Sequence, residues 1–492
     1  MELDVDRVDI GTETPTVLLN RTDAEELGVN PLDRILIDYN GKQITGIVEI
    51  TDTLVEEGCL GATERLGFLE GDVSISLAPK PDSVYHIREK LNDEELTKED
   101  IDTIIEDINR NRLNDVELGA YVTAVYVNGL SMEETINLTE CMTRAGKTIE
   151  WEEGVIADKH SIGGVAGNRV TPIVIPIVAA AGVKIPKTSS RAITSPAGTA
   201  DTMEVFCDVD FSIPEIKEIV GETNGCMVWG GGVDISPVDD KIVRAEYPLS
   251  LDPEGQVLAS VLSKKKGAGS THVVVDIPYG EGSKIQDLTE ARELAKDFKK
   301  IGGHINMNIE CTITQGNRPI GRGMGPVLEA IDVLNVLEGD GPTDLKLKSL
   351  GLSEILLDMC GSDESPRKIL DSGKALEKFR EMIEAQNGDP EVKPSDLKHG
   401  DIEEDVTANR DGIVSHVNNK LVSEISRRAG APNDPGAGIF MNKKTGSRVK
   451  EGDVLYTVYS EKREKIEEAL RLADKTEAVR VRRREQAFVE RV

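Results

Sequence analysis

Twice between Asp158 and Asp201 this chain sets a run of small and hydroxyl-bearing residues directly ahead of a helix start, and that pairing constrains its fold most. The first run, Asp158-Lys159-His160-Ser161-Ile162-Gly163-Gly164-Val165-Ala166-Gly167-Asn168, leads to Thr171-Pro172, two residues typical of helix openings. The second, Lys187 to Asp201, carries six hydroxyls and two cations within thirteen residues. Glycines let backbone amides approach a ligand, and a helix N-terminus presents unpaired N–H donors to an anion. Each run alone also reads as a polar turn capping a helix. In succession they predict consecutive strand-to-helix loops at one edge of a parallel sheet, a suitable place for phosphate and sugar oxygens.

At 492 residues the chain is too long for one hydrophobic core, so several domains are expected. Residues 1–84 read as a small β-barrel-like domain, in which Arg34–Tyr39 and Gln43–Ile50 flank the hairpin turn Asn40-Gly41. Residues 85–145, with a returning segment at about 240–268, read as helical. There Thr97 and Asp100 form a capping-box pattern ahead of Ile101, Ile104, Ile105 and Ile108. Residues 146–239 and 269–400 alternate strands, among them Thr271–Ile277 and His304–Thr314, with helices at Thr171–Ala181, Ile213–Gly221 and Val327–Leu337. That alternation is the mark of an α/β domain. Residues 401–492 form an α+β domain, with strands at Gly412–Val417, Val454–Tyr459 and Ala478–Arg482 and a helix at Glu461–Ala473.

The charge balance, 58 basic against 89 acidic residues, gives −31 and excludes a generally basic nucleic-acid binder. The acid excess fits either a well-solvated surface or a salty cytosol. Arg480, Arg482, Arg483 and Arg484 then read as a solvated face, with no nucleic acid as partner. The longest apolar run, Pro172 to Gly182, is too short to span a membrane, and the acidic N-terminus lacks a signal-peptide layout. Six scattered cysteines without Cys-x-x-Cys point to a reducing cytoplasm and to neither disulfides nor a zinc site. His160 reads as a packing or orienting group.

Lys159 to Asn168 and Ser189 to Glu204 resemble the paired signatures of the thymidine/pyrimidine-nucleoside phosphorylase family. The second holds Ser189, Arg191, Gly198, Thr199, Asp201 and Glu204 in the family's order. The resemblance runs from about Ser83 to the C-terminus. Lys-His-Ser-Ile-Gly-Gly-Val and Thr-Ser-Ser-Arg-Ala-Ile-Thr-Ser are similar to an archaeal branch with an added N-terminal domain. The resemblance implies a helical domain and a larger α/β domain with a cleft between them. It also implies phosphorolysis of nucleoside 5′-monophosphates: AMP and phosphate give adenine and ribose 1,5-bisphosphate, with CMP and UMP as further substrates. Inorganic phosphate is the co-substrate, and neither metal nor redox cofactor is needed. Dimers are expected, joined into larger oligomers through the N-terminal domain.

A dianionic nucleophile must be fixed without being over-neutralised, which suits amides, hydroxyls and one lysine. Lys159, Ser161, Ser189 and Thr199 are assigned that task. Gly164, Ser190, Arg191, Ala192, Ile193, Thr194, Ser195 and Lys284 are the candidates for the 5′-phosphate, although Lys284 also reads as a solvated loop lysine. Where the family holds its base with an arginine, this chain has Ser250; Ser260 and Lys264, one helical turn apart, remain similar. By resemblance Asp252 is the proton donor to the leaving base, whereas Asp252-Pro253 read bottom-up is a helix N-cap with proline at N1. Three alternatives remain at this level: a pyrimidine-nucleoside phosphorylase, a magnesium-dependent phosphoribosyltransferase, and a nucleotide-sensing scaffold.

Overall fold

The computed structural model describes residues 1–483 except 13, 68, 153, 194 and 250. The chain divides into two compact units, Met1–Gly146 with Ser236–Ser263, and Lys147–Ile235 with the chain from Lys264 onward.

In the first unit six strands close into a barrel: β1 (Glu2–Arg7), β2 (Thr16–Asn20), β3 (Arg34–Tyr39), β4 (Lys42–Thr51), β5 (Cys59–Ala62) and β6 (Asp72–Leu77). Their order is β1-β5-β2-β4-β3-β6. Val17, Leu19, Ile35, Ile37, Val48, Leu60 and Ile75 fill the interior, and closure removes the exposed edges that would invite aggregation. β3 and β4 form the expected hairpin. Asn40 and Gly41 both take positive φ, 51° and 75°, as a two-residue Asn-Gly turn requires.

Helices Ser83–Leu91, Lys98–Asn109, Asp115–Asn128 and Met132–Ala145 follow. Three open with reciprocal caps, Thr97 with Asp100, Asn114 with Glu117 and Ser131 with Glu134. Their apolar faces meet around Ile104, Ile105, Tyr121, Leu138 and Met142, joined by Val238, Ile242 and Ala259 from the returning segment. One ion pair is sealed within this unit. Lys90 donates to both oxygens of Glu134 at 2.8 and 3.1 Å, and Glu134 also accepts the Leu96 and Ser131 amides at 2.9 and 2.7 Å. Arg34 of the barrel reaches Glu117 of the bundle.

The second unit is built on parallel strands: β7 (Ala157–Ser161), β8 (Ile185–Ser189), β9 (Gly225–Trp229), β10 (His272–Tyr279) and β11 (Asn308–Gln315). β11-β10-β7 form one sheet and β8-β9 another, linked by a single bridge from Ile156 to Lys184. Helix Thr171–Ala180 is buried along its length apart from Ala180, and packs against helices Thr343–Met359 and Lys374–Ala385. The strand expected at His304–Thr314 begins later. Helix Leu288–His304 runs through its first residue, Asn306 turns to φ +56°, and the Met307 amide closes on the Gly302 carbonyl at 2.8 Å. Pairing with β10 starts only at Asn308.

The C-terminal strands and helix fall at Gly412–Val417, Val454–Ser460, Val479–Arg482 and Arg463–Lys475. Gly323–Met324, from the α/β part, pairs with Gly438–Met441 and so supplies the edge of the C-terminal sheet. Arg480 pairs with Glu477 at 3.3 Å, and Arg480 and Arg482 face outward; Arg484 lies outside the described residues. Among the described residues no helix is long and apolar enough to cross a membrane.

Removing one member of a buried ion pair leaves an uncompensated charge, at a cost of about 3–5 kcal/mol. Glu134→Ala is therefore expected to destabilise the first unit by that amount in urea unfolding followed by circular dichroism. The double change Lys90→Met/Glu134→Gln, which removes both charges but keeps an acceptor for the Leu96 amide, should recover most of the loss. A single-mutant effect below about 1 kcal/mol, the size of an exposed pair, would contradict this account.

Candidate active site

The parallel register sets Lys159 beside Val274 and Ser161 beside Asp276. Asp276 is the hub of this face. It accepts from Ser161 Oγ at 2.9 Å and Thr314 Oγ1 at 2.6 Å, and pairs with Lys348 at 2.7 Å. Burial pushes its carboxyl up, but Lys348 and Lys159 outweigh that and hold it below the usual range. Lys159 is 2 % exposed, and its ammonium lies 3.3 Å from Thr171 Oγ1, at the N-terminal turn of the buried helix. Burial pushes its pKa down to about 7, with Asp276 opposing.

Behind Lys159 lies a second charged group. Asp158 pairs with Lys265 at 2.9 Å, accepts from Ser270 at 3.1 Å, and stands 3.9 Å from the buried Lys187. Burial and then the neighbouring Lys265 push Lys187 well below an ordinary lysine. Burial, reinforced by Lys265 and Lys187, likewise holds His160 neutral.

The glycine-rich loop after β7 is fixed from two sides. Gly164 (φ +81°) packs so tightly that a Cβ would lie 2.5 Å from the Lys284 amide nitrogen, and at Gly167 (φ +69°) one would lie 2.2 Å from the Ile320 carbonyl. Asn419 accepts from the Ala166 amide at 3.2 Å and donates to the Gly316 carbonyl at 2.7 Å. The hydroxyl-rich loop is closed as well. Asp201 accepts from the Ala192 and Gly198 amides, both at 2.7 Å, while Arg191 makes a forked pair with Glu204 at 2.5 and 2.7 Å and lies over the Trp229 ring. Ser190, Ile193 and Ser195 are exposed on this loop, and Thr194 lies outside the described residues. At the end of β8, the buried Ser189 Oγ has no hydrogen-bond partner among the described residues.

Arg169, to which the sequence pattern assigned no role, ties the two loops together. It donates to Thr199 Oγ1 at 2.9 Å, to the Ala197 carbonyl at 2.8 Å and to the buried Glu329 at 2.6 Å. Burial pushes the Glu329 carboxyl up, with Arg169 opposing. Lys159, Ser161, Gly164, Ser189, Arg191, Thr199 and Lys284 thus belong to the second unit. Asp252 and Ser260 belong to the first, and Lys264 follows on the helix Glu254–Gly267 where the chain re-enters the second. The Val257 amide donates to the Pro253 carbonyl at 2.9 Å, so the helical ladder opens at Pro253, one residue after Asp252.

Residues 84–146 match the glycosyl transferase family helical bundle domain, 153–242 its a/b domain, and 413–479 the pyrimidine nucleoside phosphorylase C-terminal domain. The chain is 56% identical over 499 aligned positions to an AMP phosphorylase of Natronomonas pharaonis, covering 100% of both. It is 46% identical to AMP phosphorylase 1 of Archaeoglobus fulgidus, over 93% of each chain, and 44% identical to the AMP phosphorylase of Thermococcus kodakarensis, over 95% of each. The chain belongs to the AMP phosphorylase family. An anthranilate phosphoribosyltransferase from Thermus thermophilus shares the fold at 15% identity (TM-score 0.52), covering 62% of this chain and 99% of its own.

Within this AMP phosphorylase-family framework the polar atoms have distinct capacities. The Ser161 hydrogen is committed to Asp276, whereas Thr199 Oγ1 accepts from Arg169 and keeps its own hydrogen to donate. Ser189 retains both roles. Arg191 is spent on Glu204, so its loop offers an anion chiefly main-chain amides and hydroxyls.

Acids set among apolar residues could have betrayed the missed residues: Asp276 within Val273-Val274-Val275-Asp276-Ile277, and Glu329 with Asp332 on the largely apolar helix Pro326–Glu338. Arg169→Ala is expected to raise the phosphate KM at least tenfold and to lower the melting temperature. Arg169→Met/Glu329→Leu should restore stability without restoring phosphate affinity. An unchanged phosphate KM in Arg169→Ala, measured by initial rates, would rule out the clamp.

Proposed function

We propose that the chain catalyses phosphorolysis of AMP to adenine and ribose 1,5-bisphosphate, and accepts CMP and UMP as well. The observation that carries this reading is kinship with AMP phosphorylases over the full length, at 56% identity to the first of them. In the reaction an oxygen of inorganic phosphate attacks C1′ of the ribose. The N-glycosidic bond breaks, its electron pair leaves with the base, and the base takes up a proton. Lys159, the Ser189 and Thr199 hydroxyls and the amides of the glycine-rich loop hold the attacking phosphate, with Ser161 orienting that floor through Asp276. Such fixed donors act by positioning and by electrostatics, which need no reorganisation during the reaction.

The 5′-phosphate is assigned to Gly164, the loop Ser190–Ser195 and Lys284. The tight approach of Gly164 to the Lys284 amide supports grouping them in one pocket. Ser260 and Lys264 hold the nucleoside, and Asp252, standing ahead of the helical ladder, supplies the proton. No metal or redox cofactor is assigned to any step. The enzyme is assigned to the cytoplasm, as a homodimer whose N-terminal barrels join it into larger oligomers.

A pyrimidine-nucleoside phosphorylase reading draws on the match at residues 413–479, and a phosphoribosyltransferase reading on the shared fold. One assay separates all three: chromatographic detection of free base from AMP, CMP, uridine and thymidine, each with phosphate and with or without a chelator. Base release from AMP, with ribose 1,5-bisphosphate and no chelator effect, is expected. Release confined to uridine and thymidine would overturn the proposal. Asp252→Asn should lower kcat by about 10²–10⁴, the range for a lost general acid, while leaving the phosphate KM near its wild-type value.

A further inference from the structure

Beyond the reaction, the second unit contains a cavity of about 510 Å³ walled by the 318–322 turn, the start of helix Thr343–Met359 and the C-terminal segment Phe440–Thr445. That volume lies within the range of small-molecule sites. Its charged groups are unequally satisfied. Asp344 accepts from Lys444 at 2.8 and 2.7 Å and from the Leu345 amide at 3.0 Å, and Asp332 accepts the Arg322 and Gly323 amides at 2.5 and 2.8 Å. Asp340, the third acid on the wall, is exposed. Arg318 and Arg322 are exposed as well, and among the described residues neither pairs with a carboxylate. Among the described residues, the Arg318 guanidinium has only a 3.4 Å bond to Gln315, and Arg322 lies 6.0 Å from the centre of the Phe440 ring. Thr445 Oγ1, on the same wall, is shielded from solvent and makes no hydrogen bond with the described residues.

Guanidinium forks without carboxylates match a phosphate, and an aromatic face beside them matches a planar base. We propose that this cavity is a second ligand site for a nucleoside monophosphate, its phosphate on Arg318 and Arg322 and its base against Phe440. The wall adjoins the phosphate loop. The Ile320 amide donates to the Ala166 carbonyl at 3.0 Å, and Gly167 rests on the Ile320 and Gly323 carbonyls. A ligand that fixes residues 318–323 thereby steadies the loop that carries Gly164, so occupancy is read at the active site as a change in phosphate KM.

The test is equilibrium dialysis of the full-length protein against radiolabelled AMP. Arg318→Gln and Arg322→Gln remove side chains that hold no ion pair, and each is checked for an unchanged melting temperature. Phe440→Ala provides an independent third variant. Each variant is expected to bind one fewer AMP per chain than wild type while keeping its kcat. Each is also expected to lose the change in phosphate KM that wild type shows as AMP rises. Equal stoichiometry in wild type and all three variants would overturn the proposal. So would an equal loss with ribose 5-phosphate as the probe in Phe440→Ala, since that sugar phosphate has no base to stack.

Discussion

The structure is organised around a surplus of positive charge that its own carboxylates do not cancel. Lys159, Lys187 and Lys265 are buried and the Lys348 side chain is 10% exposed, against the two buried acids Asp158 and Asp276. Fully ionised, this group would carry two uncompensated charges in a dehydrated setting, which proteins avoid by shifting pKa values. The depressed titration of Lys159 and Lys187 is that response. In the proposed reading a phosphate dianion supplies the missing charge. It need not displace any existing pair, because Asp158 and Asp276 stay bound to Lys265 and Lys348.

Everything else in the second unit holds that floor in place. β7 and β8 are joined at the Ile156–Lys184 bridge, and Asp158 of β7 stands 3.9 Å from Lys187 of β8. The two loops beyond the strands are coupled to each other by Arg169, and the glycine-rich loop is coupled to the C-terminal domain by Asn419. Gly164 and Gly167 permit backbone approaches that a side chain would block. The C-terminal domain therefore braces the glycine-rich loop through Asn419, and its sheet takes Gly323–Met324 as an edge.

What could be read from the sequence was local. The Asn40-Gly41 turn and the Thr97/Asp100 capping box depend on residues a few positions apart, and each folds as its spacing requires, whereas the two loops expected at one edge of a single parallel sheet follow strands of two sheets, β7 and β8. Ser161 and Asp276, 115 positions apart, and Arg169 and Glu329, 160 apart, become partners only through tertiary structure. Lys187 carries no local sign of its burial. Helix Thr343–Met359 also escaped the periodicity, because leucines recur on several of its faces. The Asp252-Pro253 cap misread the helix start by one residue, since proline and the preceding acid satisfy that pattern at either register. Membership of the phosphorylase family, by contrast, was legible in two short continuous strings, Lys159 to Asn168 and Ser189 to Glu204.

If the lysine floor is short of negative charge, binding of phosphate must draw protons into it. Isothermal titration calorimetry with inorganic phosphate at pH 8, in buffers of different ionisation enthalpy, measures this directly. At that pH Lys159, with its pKa near 7, is mostly neutral in the free protein, and a bound dianion raises its pKa. The account predicts uptake approaching one proton per chain, fading below pH 6 and largely abolished in Lys159→Arg, whose side chain is charged before phosphate arrives. Phosphate binding without proton uptake at pH 8, or with equal uptake in Lys159→Arg, would contradict it.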